Sequence, residues 1–100
     1  MNKYIMNSDG SFYAEPDSMT WAKWMEFADR KIANSYVGDV NISTVFLGID
    51  HSFSGTEPVL FETMVFGGDL DQEQYRYETF GQAIKGHDEM VKRVKEVSNG

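Results

Sequence analysis

The chain has 100 residues, nine basic against sixteen acidic side chains, a formal net charge of −7 and no cysteine. A chain of this length builds one modest core that buries roughly 60–65% of its unfolded surface. The lack of cysteine excludes disulfides and thiolate chemistry, and the acidic balance repels phosphate, which argues against direct DNA or RNA binding.

With 41% hydrophobic and 14% aromatic residues the composition is that of a folded domain, expected to span residues 1–100 as a single unit. No segment approaches the ~20 apolar residues of a membrane span. The opening "MNKYIMNSDG" has no apolar run long enough for a signal peptide. A cytoplasmic protein without a membrane partner is the expectation.

In chain order, "KYIMNSDGSFYAEPD" sets Tyr4, Ile5 and Met6 before an Asp9-Gly10 turn and Phe12-Tyr13 after it, the pattern of a short hairpin. Pro16 ends that strand, and Asp17 or Ser18 can cap a helix. Trp21, Trp24, Met25, Ala28 and Ile32 then recur at helical spacing and predict a helix over about 19–34, stopped by Asn34, Ser35 and Gly38. Val40 to Asp50 and Val59 to Phe66 are apolar and β-branched, and predict a hairpin around a Ser52–Pro58 loop. "YRYE" suits a short fourth strand. Thr79 with Gln82 forms a capping box, and Phe80, Ala83, Ile84, His87, Val91 and Val94 predict a second helix over about 79–97. Gly81 and Gly86 each weaken that helix by roughly 1 kcal/mol, which close packing against a neighbour would explain. The expected fold is α+β, an antiparallel sheet of three or four strands with two helices packed on one face.

A symmetric hairpin would set His51 opposite Val59, Ile49 opposite Phe61, Leu47 opposite Thr63 and Val45 opposite Val65, all on the core face. The other face would then carry Thr44, Phe46, Gly48, Asp50, Leu60, Glu62, Met64 and Phe66. Among these, Phe46, Leu60, Glu62, Met64 and Phe66 form the candidate interaction surface, for a partner protein or a second copy of the chain.

Candidate chemistry is sparse. Asp50 and His51 at a strand end, before a Ser/Gly/Thr loop, form the candidate site for a small ligand, a nucleotide or a small enzyme's substrate. His87 sits on the helix stripe and reads as a satisfied packing residue. The two histidines lack metal spacing, and neither a metal nor a cofactor is expected. Asp50 and Glu62 as a hydrolytic carboxylate pair compete with a simpler pairing of Glu62 to Arg76. Asp69, Asp71 and Glu73 alternate like calcium ligands but lack the twelve-residue loop, and read as a solvated turn. Trp21 and Trp24 beside Lys23 could stack a base, yet their stripe position favours the core.

The segments "EPDSMTWAKWME", "ISTVFLGIDHSFSGTEPVLFETMVFGGDLDQEQYRYETF" and "AIKGHDEMVKRV" resemble a family of small uncharacterised proteins encoded in bacteriophage and prophage genomes. The likeness covers Glu15 to Val94. It implies context and no catalytic residue: expression in a bacterial cytoplasm during phage growth. In that context the expected function is non-enzymatic, a phage accessory protein that binds a host macromolecule, such as an inhibitor of host defence or transcription. The alternative is the small-ligand protein or small enzyme built around Asp50 and His51.

Overall fold

The structure is a computed structural model that describes residues 2–52 and 57–99. Its elements are β1 (Tyr4–Met6), β2 (Phe12–Ala14), α1 (Ser18–Phe27), β3 (Lys31–Val37), β4 (Val40–Phe46), β5 (Phe61–Phe66), β6 (Gln74–Tyr77) and α2 (Phe80–Asn99). The fold is α+β. The strands β3-β4-β5-β6 form an antiparallel meander, and β1 and β2 form a separate two-stranded ribbon. Helix α2 lies across the four-stranded sheet, while α1 packs on β1.

The helix caps follow the sequence signals. Asp17 accepts the Met19 N–H at 3.3 Å and the Thr20 hydroxyl at 2.6 Å. At α2, Gln82 N–H donates to Thr79 Oγ1 at 3.0 Å and the Gln82 side chain accepts from Glu78 and Thr79 N–H, the reciprocal box that the spacing predicts.

The first helix is shorter than its stripe. It ends at Phe27, where Ala28 turns extended (φ −74°, ψ 142°) while its N–H still reaches Trp24 O. The residues expected in its second half form β3. Ile32 matches the helical period by coincidence of number: Gly38 and Asp39 make a two-residue turn, with Val37 paired to Val40, so Ala33 to Val37 zip antiparallel onto β4. Hairpin pairing overrides a helical stripe that had only one further apolar position to gain.

The hairpin register also differs. The Val59 carbonyl does accept the His51 N–H at 2.9 Å, as a symmetric hairpin requires, but Leu47 N–H bonds Leu60 O at 2.6 Å and the ladder continues as Phe46↔Phe61, Thr44↔Thr63 and Ile42↔Val65. Gly48, Ile49 and Asp50 are extra on the β4 side. They splay toward β1, where Tyr4 N–H donates to Gly48 O and Asp50 N–H to Asn2 O, a bend that Gly48 permits with φ +80°. Three is an odd number, so the alternation on β4 inverts relative to β5.

The core follows the found register. Ile42, Val65, Met90 and Val94 make one buried cluster, and Phe46, Leu60, Phe61 and Ala83 make another, joined by Trp24, Phe12 and Phe80. Phe46 packs edge-on to Phe61 (5.4 Å, 64°) and Trp24 (5.8 Å, 86°). Each such buried side chain contributes roughly 1.5–3 kcal/mol of transfer free energy.

Candidate functional site

The structure corrects two residues of the expected interaction surface: Phe46 through the inverted register of β4, and Leu60 because it precedes β5 and stands outside that strand's alternation. Phe46 and Leu60 are fully buried and belong to the core, whereas Glu62 and Met64 are half-buried on the opposite face and Phe66 is 43% exposed there. Val45, expected in the core, changes places with Phe46.

That opposite face is the side of the sheet away from α2. Its middle holds Val45, Ser43, Glu62 and Met64, with Asn41 opposite both Tyr36 and Phe66 at one margin. Tyr36, which the sequence placed beyond a helix, is 68% exposed. Neither buried cluster includes Val45 or Met64, and Trp24, Phe12, Phe80 and Ala83, Met90, Val91 and Val94 of α2 all join the alternate, inner residues, while Ile84 of the expected stripe stays exposed. On this face Arg76 Nε donates to Glu62 Oε2 at 2.9 Å, the cross-strand pair set by the Glu62↔Arg76 register. The carboxylate is therefore engaged within the sheet, as the simpler reading of Glu62 expected.

Asp50 and His51 do not form a free polar pair. The Asp50 carboxylate accepts from Val59 N–H (2.9 Å), Ser52 N–H (2.8 Å) and the Ser52 hydroxyl (3.0 Å). These donors, Val59 first and then Ser52, stabilise the carboxylate and hold its pKa below the usual value of 3.8. Chemically this is a staple across the base of the loop whose residues 53–56 lie outside the described region. His51 is half-buried at the same base. Among the described residues no group of three His, Cys, Asp or Glu side chains converges as a metal site would require.

A buried polar cluster lies elsewhere. His87 is 3% exposed between the two apolar clusters, with Nδ1 2.7 Å from Thr44 Oγ1 and Nε2 2.9 Å from Ser35 Oγ; Thr44 in turn shares a hydrogen bond with Thr63. Burial pushes His87 below its ordinary value of 6.5, opposed more weakly by Asp88. A Ser–His contact suggests a nucleophile, but the ring's other nitrogen meets a neutral hydroxyl in place of the carboxylate that would stabilise an imidazolium. The arrangement satisfies a buried imidazole; the sequence placed Thr63 on the core face, whereas Thr44 was expected on the other face and turns inward with the inverted register of β4.

The remaining candidates are structural. Trp21 Nε1 donates to the carbonyls of Tyr4 (3.1 Å) and Gly48 (3.0 Å), and Trp24 is in the core. Asp71 accepts from Gly67 N–H at 2.6 Å, and Glu73 pairs with Arg93 at 3.2 Å. Two clefts of about 280 Å³ flank α2, one lined by Gly67, Gly68 and Val97, the other by Tyr75, Tyr77 and Arg93. Neither is lined by Asp50 or His51.

The fold thus defines a small α+β domain with a one-sided sheet, its helices and ribbon joined to one face. No family model, curated protein or solved structure matches the chain. No described helix is long and apolar enough to cross a membrane.

Proposed function

We propose that the protein acts by binding, as a phage-type accessory factor in the bacterial cytoplasm whose helix-free sheet face docks a host protein. Inhibition of host defence or transcription is the class of outcome this implies. The observation that carries the reading is the composition of that face: Val45 and Met64 at its centre, Tyr36 and Phe66 exposed at its margin, and its central carboxylate already paired with Arg76. An apolar centre with an engaged charge can be desolvated at lower cost than a free carboxylate. The acidic remainder of the molecule disfavours contact with nucleic acid itself and favours a basic rim on the partner, so binding weakens as salt rises.

Affinity capture from a bacterial host at two salt concentrations, read by mass spectrometry, tests this with wild-type protein and Met64→Glu. A specific host protein retained by the first and lost by the second is the expected result. Equal retention by both removes the sheet face from the mechanism.

A further inference from the structure

The two edges of the four-stranded sheet are built differently. Edge strand β6 has four residues with Arg76 inside it, and Glu73 and Glu78 flank it, so charge and brevity blunt it. Edge strand β3 has seven residues, and from Ile32 to Val37 it carries neither charge nor proline. Its bulge and its one charged residue, Lys31, lie at the beginning of the strand and leave Ala33 to Val37 regular. Among the described residues β3 pairs with β4 alone.

The backbone groups on the free side of β3 can be identified. A two-residue hairpin loop closes on a hydrogen-bonded pair, here Val37↔Val40. Alternation then turns the N–H and C=O of Ser35 and Ala33 toward β4 and those of Asn34 and Tyr36 outward.

We propose that β3 is a self-pairing edge: two copies of the chain join β3 to β3 antiparallel about a two-fold axis at Ser35, making one continuous eight-stranded sheet. In this register Asn34 stands opposite Tyr36 of the other copy, and each such pair exchanges both of its outward backbone bonds. Antiparallel pairing about Ser35 also brings Lys31, at the start of β3 in one copy, to the end of the joint where the other copy's Gly38-Asp39 turn carries Asp39, twice by symmetry. Both side chains are exposed. Among the described residues the ion pairs are Arg76–Glu62 and Arg93–Glu73, so Lys31 and Asp39 have no ion-pair partner within one chain. A register shifted by two residues would lose this match. Charge complementarity at both ends therefore selects a second copy of this chain over an unrelated strand, even though the whole molecule is acidic. The inference is independent of the host-binding reading: a dimer forms in purified protein, with no host component present.

Sedimentation equilibrium and light scattering on purified protein test it, with circular dichroism as the control for folding. Wild type is expected to be a dimer. Asn34→Pro removes an outward N–H together with the exposed Asn34 Oδ1 that accepts from Asn41 Nδ2, and Tyr36→Lys puts a charge at the centre of the joint; each is expected to weaken dimerisation at least about tenfold while the fold is kept. The second variant decides the matter if the first fails to fold. Lys31→Glu is expected to weaken the dimer by repulsion from Asp39, and Lys31→Glu combined with Asp39→Lys to restore it. A monomeric wild type at high micromolar concentration overturns the proposal. So does a dimer that survives Tyr36→Lys, which would move the joint elsewhere, or a charge exchange that fails to restore pairing. A monomer that captures a host protein, with capture lost in Tyr36→Lys but kept in Met64→Glu, assigns the edge to a foreign strand and equally overturns self-pairing.

Discussion

Thr44 and His87 meet across the helix–sheet interface, Oγ1 to Nδ1 at 2.7 Å, and this contact bridges the two apolar clusters of the core. It places a titratable ring where α2 presses on β4, so the docking of the long helix is coupled to the protonation of one side chain.

The coupling has a defined sign. The folded-state pKa of His87 is lowered from 6.5, so the unfolded chain binds the proton more tightly than the folded one. The stability is fully present above the unfolded value. It declines as pH falls below 6.5, and the loss is complete below the folded value. Thermal melts across this range should show a falling melting temperature for wild type and a flatter profile for His87→Gln. His51 is common to both proteins and cancels in the comparison. Parallel profiles would show that His87 does not supply the proton linkage.

Substitution to glutamate should divide the expected interaction surface in two. Phe46→Glu removes a fully buried ring that packs on Phe61 and Trp24 and leaves a charge in its place, a loss of at least about 3–5 kcal/mol. Met64→Glu lies on the helix-free face and should cost about 1 kcal/mol or less. Urea unfolding of the two variants checks the inverted register directly. Similar midpoints for both would contradict it.

The two helix glycines should respond in opposite directions. At Gly81 an added Cβ meets nothing within 4 Å, so Gly81→Ala should stabilise the protein by about 0.5–1 kcal/mol. At Gly86 an added Cβ runs into the Tyr77 ring, which packs against the second apolar cluster. Overpacking costs about 1–3 kcal/mol and exceeds the gain in helix propensity, so Gly86→Ala should destabilise. Denaturation midpoints give both signs.

Asp50 should behave as a structural carboxylate. Asp50→Ala frees Val59 N–H and both Ser52 donors at a half-buried position, with an expected loss of about 1–3 kcal/mol. Chemical denaturation measures that loss, and capture of a host protein should persist once the variant is held well below its melting temperature. Loss of binding at full stability would instead place Asp50 in the functional surface.

The elements with strong local signals were legible in the sequence. The Asp9-Gly10 hairpin, the Asp17 cap, the Thr79–Gln82 box and the α2 stripe each depend on contacts within a few residues, which local chemistry fixes. The β5 alternation was also correct, with Phe61, Thr63 and Val65 inward. Gly86 was read as a close-packing position and proved to be one; Gly81 was read the same way and has no neighbour.

What the sequence could not supply was decided over longer distances. The strand β3 exists because β4 offers it a ladder, although its first residues, with Ile32, continue the helical stripe of α1. The faces of β4 turned on three residues, Gly48 to Asp50, drawn out of the hairpin by bonds to Asn2 and Tyr4 at the other end of the chain. A period-two pattern is blind to such an insertion, and an odd insertion exchanges every side chain beyond it. The sequence by itself determined the class of fold, the starts of both helices and the acidic, cysteine-free character of the molecule, because those follow from composition and local bonding. Only the tertiary structure decided that Phe46 and Leu60 lie inside and Tyr36 and Val45 on the helix-free face, because strand pairing is a contest between distant partners for the same backbone groups.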